Sequence, residues 1–215
     1  MRAPRLLGVV GFCLGALSPL ARADFYTGFE PPKYEPGIVQ GQHGWMGNAE
    51  VVTAPHPVIQ TQSLKQDKGA LRQVDPPIDV TRVEWHWYFD GNTYVPAGPS
   101  QLFGTSVFAL ARRGDSHLWF DSGHGGIDLG FDMPWDRWVP FRVEINPATY
   151  DAMLYMDGVP IYGFEAELGN QVVALIAGGA NGFENTMYLD EIRLVPEPAG
   201  ILLAAVGAVA ACRRR

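Results

Sequence analysis

The sequence predicts an all-β domain, an antiparallel β-sandwich of the jelly-roll type, between an N-terminal signal helix and a C-terminal hydrophobic helix. Three observations predict it: stretches in which apolar residues recur with period two, turn signals roughly every ten residues, and no long window of helical periodicity in the middle of the chain. We expect a signal peptide over residues 1–23, the sandwich over 24–194 and a tail over 195–215.

The clearest strand pattern is TRVEWHWYF at residues 81–89. Its side chains alternate, and bulky aromatic residues of this kind suit the buried face of a sheet. The predicted inward set is Val83, Trp85, Trp87 and Phe89. The predicted outward set is Arg82, Glu84, His86 and Tyr88.

Residues 138–164 predict a meander of three antiparallel strands. VPFRVEI alternates in the same way, and Asn146-Pro147 supplies a turn before DAMLYM. Asp157-Gly158 then favours a two-residue hairpin turn, after which VPIYGF returns. Further strands are predicted at AEVVT, GALRQV, SVFALARR, SHLWF, VVALIAG and MYLDEIRLV.

The N-terminus has the composition of a secretory signal peptide. Arg2 and Arg5 form a basic start, Leu6–Leu20 is apolar, and Ala21-Arg22-Ala23 is a cleavage pattern that places the cut between Ala23 and Asp24. The alternative is an N-terminal helix that belongs to the core. A signal peptide implies export of the chain.

The C-terminus has an uncharged stretch, Ala199–Cys212, that ends in Arg213, Arg214 and Arg215. Fourteen helical residues reach about 21 Å, which is short of the ~30 Å hydrocarbon core of a bilayer. The arginines favour retention on the cytoplasmic side. The pattern indicates a segment that is held briefly in the inner membrane and then processed.

The charge is concentrated in the middle of the chain. The end segments, residues 1–23 and 199–215, each have three arginines and no acid, so the 175 residues between them keep ten basic and 23 acidic side chains, a net charge of −13. Such a body repels phosphate backbones, which excludes nucleic-acid binding. Both cysteines, Cys13 and Cys212, fall in the end segments, so the predicted domain has neither a disulfide nor a thiol nucleophile.

Val195-Pro196-Glu197-Pro198, the apolar segment and the terminal arginines together resemble the PEP-CTERM sorting signal of Gram-negative bacteria. The resemblance covers about the last twenty residues. It implies recognition and removal of the tail by exosortase, and a destination at the cell surface or in the extracellular matrix. The alternative is a plain C-terminal anchor that is never cut.

Three stretches of the middle are similar to the concanavalin A-like (laminin-G-like) jelly rolls: FYTGFE with YEPGIVQGQHGW, DRWVPFRVEINPATYDAMLYMDGV, and MYLDEIRL. These motifs specify strands and turns. Some members of that group bind carbohydrate through calcium and others form protein–protein contacts, so the resemblance alone leaves function open.

Calcium is the candidate cofactor. In DSGHGGIDLGFD, Asp121, Asp128 and Asp132 with four glycines could wrap an ion that takes six to eight oxygen ligands. The alternative is a solvated strand in which Ile127, Leu129 and Phe131 point inward. The five histidines show no zinc spacing.

Carbohydrate contacts are expected from two Asn-Gly and Asp-Gly segments. DGNTY supplies Asp90, Asn92 and Tyr94, and NGFEN supplies Asn181 and Asn185. Both are also ordinary turn sequences, because Asn-Gly and Asp-Gly readily take positive φ.

No catalytic pattern is present. A glycosidase on this type of fold needs acids that alternate on one strand, whereas Glu84 and Glu144 stand alone and Asp190-Glu191 are adjacent. The sequence therefore predicts a non-enzymatic envelope or matrix protein that associates with exopolysaccharide or other envelope proteins. The alternatives are a calcium-assisted lectin and a divergent glycosidase.

Overall fold

The computed structural model describes residues 25–53, 61–66, 68–90, 99–113, 117–123, 125–179 and 187–196. All of them belong to one compact unit, Asp24–Glu197. The regular elements within these ranges are strands and all their pairings are antiparallel, which confirms the predicted all-β class. Both predicted flanking helices lie outside the described residues. Within those residues no helix is long and apolar enough to cross a membrane.

The strands follow one another closely along the chain. In order they are β1 (Phe25–Thr27), β2 (Gly37–Ile38), β3 (Trp45–Gly47), β4 (Glu50–Val52), β5 (Ser63–Lys65), β6 (Ala70–Phe89), β7 (Pro99–Thr105), β8 (Ala109–Arg113), β9 (His117–Asp121), β10 (Ile127–Asp132), β11 (Trp138–Ile145), β12 (Asp151–Met156), β13 (Val159–Glu165), β14 (Gln171–Gly179) and β15 (Met187–Pro196).

Two sheets share the long strand β6. The front sheet runs β13–β12–β11–β6–β15; β5 pairs with the start of β15 and β1 with its later part, and β4 and β2 continue beyond β5. The back sheet runs β10–β9–β8–β7–β14–β6–β3.

The strand β6 changes sheets along its length. Its first half pairs with β14 and β3, and its second half pairs with β11 and β15. The ladder to β14 is interrupted between Gln73 and Ile78. Pro76 and Pro77 fall in this interruption, where the missing amide hydrogens cost no ladder bond. The sequence predicts two strands here, at 69–74 and 81–89, and the structure joins them into one.

An aromatic cluster around Trp85 holds the two sheets together. The predicted inward residues of β6 are all buried. The Trp85 ring stacks on Phe141 of the front sheet with centroids 5.3 Å apart and planes 9° apart. It also lies 4.7 Å from Phe103, which β7 of the back sheet contributes. This contact between the inner faces is the centre of the core.

The predicted meander is present as β11, β12 and β13. Asp157 and Gly158 at its second turn have φ of +53° and +77°. Two successive positive φ values are the signature of a tight turn whose twist matches the flanking strands. The Asp-Gly prediction is therefore confirmed at this position.

One strand, one strand boundary and one tryptophan differ from the sequence-based prediction, which places Trp138 in the core and leaves Trp45 open. The whole of β7 lies in a stretch with no predicted strand, and β8 begins at Ala109 rather than Ser106. Trp138 is half-buried on the outer side of the front sheet, 5.6 Å from the Tyr88 ring, and not in the core. Trp45 is fully buried.

The last strand runs two residues beyond the predicted domain boundary. Val195 pairs with Arg82 and Pro196 with Val80, both on β6. Pro196 is buried. The first half of the predicted sorting motif is therefore part of the sandwich.

Replacing Trp85 with alanine tests the role of the aromatic cluster. We expect Trp85→Ala to lower the free energy of unfolding by about 3–5 kcal/mol, because it removes a fully buried ring and leaves a cavity. Trp135→Ala is the control, since that ring is 37% exposed, and we expect a clearly smaller loss. Urea denaturation of the full-length chain followed by fluorescence measures both, and equal losses would contradict the assignment of Trp85 as the centre of the core.

Candidate functional site

Two of the three aspartates of the predicted calcium site, Asp121 and Asp128, close local turns. The Asp121 carboxylate accepts hydrogen bonds from the backbone N–H groups of Gly123 (2.7 Å) and Gly125 (3.3 Å). Asp128 accepts one from the N–H of Gly130 (2.8 Å) and lies 3.0 Å from Nδ1 of His117.

Asp132 approaches the other side of the same histidine. Its carboxylate lies 3.7 Å from Nε2 of His117. In the part of the chain that the structure describes, no three His, Cys, Asp or Glu side chains are grouped so that they could hold a metal ion. Calcium binding by Asp121, Asp128 and Asp132 stays a prediction.

The strand β10 is solvated on both faces. The inward packing predicted for Ile127 and Phe131 is not observed, since these side chains are 49% and 37% exposed. The reason is that β10 is an edge strand whose pairing with β9 shifts register between Asp128 and Asp132. Only Leu129 packs against the core.

The strand ends next to the two predicted carbohydrate segments are neighbours in the front sheet. Asp90 follows β6, and the segment at 181–185 precedes β15, where Met187 pairs with Phe89. Asn92, Tyr94, Asn181 and Asn185 lie outside the described residues. So do Ala23, Asp24, Glu197, Pro198 and the arginines 213–215.

A concavity with a volume of about 730 Å³ lies elsewhere, on the outer face of the front sheet. It crosses β1, β15, β6 and β11 and reaches the turn between β12 and β13. We call it the outer groove. The polar and aromatic residues that line it include Tyr26, Glu84, His86, Arg142, Glu191 and Arg193.

Cross-strand register builds one side of the outer groove. Tyr26 lies opposite Arg193, Arg193 opposite Glu84, Glu84 opposite Arg142, and Arg142 opposite Tyr155. Side chains directly opposite on one face of antiparallel strands are close neighbours. The result is a row with an aromatic ring at each end and charges of alternating sign between them.

Ion pairs and a ring contact hold this row. The Arg82 guanidinium lies 3.1 Å from the Glu84 carboxylate, and that of Arg142 lies 3.3 Å from Glu144. Arg142 also lies over the Tyr155 ring, 4.2 Å from its centre. These contacts restrict the side chains that a ligand in the outer groove would meet.

A β-bulge builds the other side. Asp190 pairs with His86 and Arg193 with Glu84, so β15 has one residue more than β6 in this interval. The extra residue allows Glu191 to take φ of +53°, a conformation that is costly for a residue with a Cβ. Simple alternation would send Asp190 and Glu191 to opposite faces. The bulge instead places Glu191 in the outer groove, beside His86.

Tyr26 fixes the position of the Glu191 carboxylate. Its hydroxyl donates a hydrogen bond of 2.6 Å to Oε1 of Glu191. Gly28 leaves the room for this pair, because a Cβ at that position would lie 2.6 Å from the Tyr26 hydroxyl oxygen and 3.2 Å from Oε1. Burial, and then this hydrogen bond, raise the pKa of Tyr26. The hydroxyl therefore remains protonated.

Two titratable groups next to Glu191 are held in their neutral forms. Asp190 is fully buried, and burial raises its pKa to about 8, helped by the charges of Glu191 and Glu30 and opposed by the N–H of Glu191. Within the described residues its Oδ2 has no hydrogen-bond partner. Burial lowers the pKa of His86, although Glu191 and Glu84 oppose the shift. Both side chains are therefore mainly uncharged near pH 7.

Comparisons with known proteins indicate the fold and no family. No family model and no curated protein matches this chain. Among solved structures, the lectin UEA-II complexed with galactose is similar over 81% of this chain and 98% of its own, with 11% identity and a TM-score of 0.54.

Two longer proteins contain a similar domain. The binding domain of botulinum neurotoxin serotype D matches 80% of this chain and 48% of its own, with 11% identity and a TM-score of 0.53. A Trypanosoma rangeli sialidase matches 81% of this chain and 30% of its own, with 11% identity and a TM-score of 0.54. This chain thus spans less than half the length of either protein. Identities this low show the lectin-like jelly-roll fold alone.

Substituting Asp190 tests the buried carboxyl group through the pH dependence of stability. Its pKa is about 8 in the folded protein and about 3.9 in an unfolded chain. Between pH about 4 and pH about 8, Asp190 is therefore protonated in the folded state and ionised in the unfolded chain. For this reason the group lowers the free energy of unfolding as the pH rises through this range. We expect Asp190→Asn to remove that fall, measured by urea denaturation at pH 5, 6.5 and 8.

The control for this experiment is Glu165→Gln, which removes one acid from an exposed position at the end of β13. If the free energy of unfolding depends on pH in the same way in the parent protein and in Asp190→Asn, then Asp190 is ionised in the folded state.

Proposed function

We propose that this chain is an exported, non-enzymatic protein of the bacterial cell envelope or matrix that binds glycan in the outer groove. The observation that carries the proposal is the row of alternating donors and acceptors with an aromatic ring at each end. Carboxylates such as Glu84 accept hydrogen bonds from sugar hydroxyls, and guanidinium groups such as Arg193 donate to them. Ligand sites commonly combine apolar surface with a few placed polar groups.

Tyr26 adds apolar surface to these polar groups. It is 42% exposed while its hydroxyl is bonded to Glu191, so its ring is held at the rim of the outer groove. A tyrosine offers a large contact area with few side-chain torsions to restrict on binding. The similarity in fold to a lectin complexed with galactose is consistent with this use of the domain.

The carboxylates of the outer groove are better suited to holding a ligand than to chemistry. Glu84 is paired with Arg82 at 3.1 Å, and Glu191 accepts from Tyr26. Both carboxylates are therefore held in place by neighbouring donors, so they lose little freedom when they accept a hydrogen bond from a ligand. Turnover of a glycan that depends on Glu84 and Glu191 would favour the divergent glycosidase instead.

The export and sorting of the chain form the second part of the proposal. The signal peptide would direct secretion, the C-terminal helix would hold the precursor in the inner membrane, and exosortase would remove the tail. Because β15 continues through Pro196, the folded sandwich reaches into the motif. A protease needs extended, accessible backbone, so cleavage of the folded precursor has to occur beyond Pro196.

Glycan binding is tested by co-sedimentation of the full-length chain, in mild detergent, with exopolysaccharide of the producing organism. We expect binding that Arg193→Gln weakens at least tenfold, because the variant loses a charged donor that is worth about 1.5–3 kcal/mol. The control is Lys68→Gln, which removes one positive charge from an exposed position outside the outer groove. Equal binding by parent and both variants would place the site elsewhere.

The same assay with a chelator separates the two ligand-binding alternatives. Binding in the outer groove is expected to persist without calcium, since its donors and acceptors are all side chains of the protein. Loss of binding on chelation, together with loss in Asp121→Asn or Asp128→Asn, would establish the calcium-assisted lectin with the β9–β10 region as its site.

Processing is tested by the mass of the protein released from cells. We expect a C-terminus at Pro196 or beyond, and a tail-bearing precursor in the membrane fraction when the processing protease is inactivated. A released product that ends before Val195 would show that β15 is not folded when the cut is made. Release of the chain with its tail intact would contradict processing altogether.

A further inference from the structure

The outer groove runs across the strands rather than along them. One side is the row that contains Arg193, Glu84 and Arg142, and the other side includes Glu191 and His86. From Tyr26 to Arg142, the part that lines the outer groove, the row crosses four adjacent strands. Three spacings of about 4.8 Å give a length of ~14 Å. A single sugar ring would meet only a fraction of this length, whereas an extended chain would meet all of it.

The charges that line the outer groove nearly cancel. Glu84, Asp157 and Glu191 face it together with Arg142 and Arg193. Glu84 and Asp157 also have partners at its margin, Arg82 and Arg137. Because the signs alternate along the row, neither a polyanion nor a polycation finds a continuous complementary field. The net charge of −13 between the two end segments opposes an acidic polymer further.

Glu191 is positioned before any ligand arrives. Its backbone holds the unfavourable φ of +53°, its carboxylate is fixed by Tyr26, and Gly28 leaves the space for that hydrogen bond. Strain of this kind persists only where the surroundings enforce it, and it concentrates at functional positions. An acceptor fixed in this way loses little freedom when it binds a hydroxyl group.

From this geometry we infer that the outer groove binds interior segments of a neutral polysaccharide chain, laid across strands β1, β15, β6 and β11. The inference rests on the proposed function and names the ligand class of the same site. An open trough with alternating donors and acceptors matches a run of hydroxyl groups and requires no chain end. It provides neither a closed pocket for a terminal sugar nor a cationic track for uronate carboxylates.

The test measures binding of the full-length chain, in mild detergent, by affinity electrophoresis. The probes are the neutral polymers dextran, galactomannan and laminarin, the anionic polymers alginate and polygalacturonate, and the monosaccharides glucose, galactose and mannose as competitors. We expect retardation by at least one neutral polymer, unchanged between 50 and 500 mM salt because no ionic contact with the ligand is involved. The monosaccharides should not compete at equal sugar concentration.

A matched pair of double variants locates the binding. We expect Glu84→Gln with Glu191→Gln to weaken binding of the neutral polymer at least tenfold. Glu35→Gln with Glu165→Gln removes the same two charges from exposed positions outside the outer groove and should leave binding unchanged. Arg193→Gln, at an exposed position, tests polymer binding in the outer groove independently. It is needed if the double variant Glu84→Gln with Glu191→Gln alters the bulge.

The outcomes separate this inference from the proposed function. Binding of anionic polymers only, or competition by a monosaccharide as strong as that by the polymer, would overturn the inference while glycan binding stands. No binding to any of these polymers or to the exopolysaccharide of the producing organism would overturn both.

Discussion

The structure depends on one strand that serves two sheets. Over twenty residues, β6 pairs first with β14 and β3 of the back sheet and then with β11 and β15 of the front sheet. Its inward side carries Trp85, which stacks on Phe141 and contacts Phe103 across the sandwich. Its outward side carries Glu84 and His86. The alternation of side chains along β6 therefore supplies both the core and part of the lining of the outer groove.

The bulge in β15 couples stability to the proposed site. It places Asp190 in full burial with one oxygen lacking a hydrogen-bond partner, and it holds Glu191 at a positive φ. Each feature has an unfavourable energy by itself. The hydrogen bond from Tyr26 and the N–H of Glu191 offset part of it. A regular strand would avoid both costs and would leave the outer groove without its fixed acceptor.

The candidate site shows where sequence reasoning stops. Alternation along β6 was enough to predict that Glu84 and His86 point outward, and the structure confirms it. It was not enough to connect them with Tyr26, Arg142 or Glu191, because those residues come from distant parts of the chain. Glu84 consequently looked isolated in the sequence. The aspartates of β9 and β10, whose closeness in sequence predicts a shared site, form local turns and contacts with His117.

By itself the sequence determined the class of the domain, the inward residues of its main strands, the Asp-Gly hairpin and the acidic charge of the chain between its two end segments. These properties depend on local spacing or composition, and local spacing is what a sequence displays. The tertiary structure decided that 69–74 and 81–89 are one strand, that Pro196 belongs to the sandwich, and that five side chains form one row across the front sheet. Register and bulges result from pairing between distant strands, where a shift of one residue reverses every side chain, so no local pattern contains them.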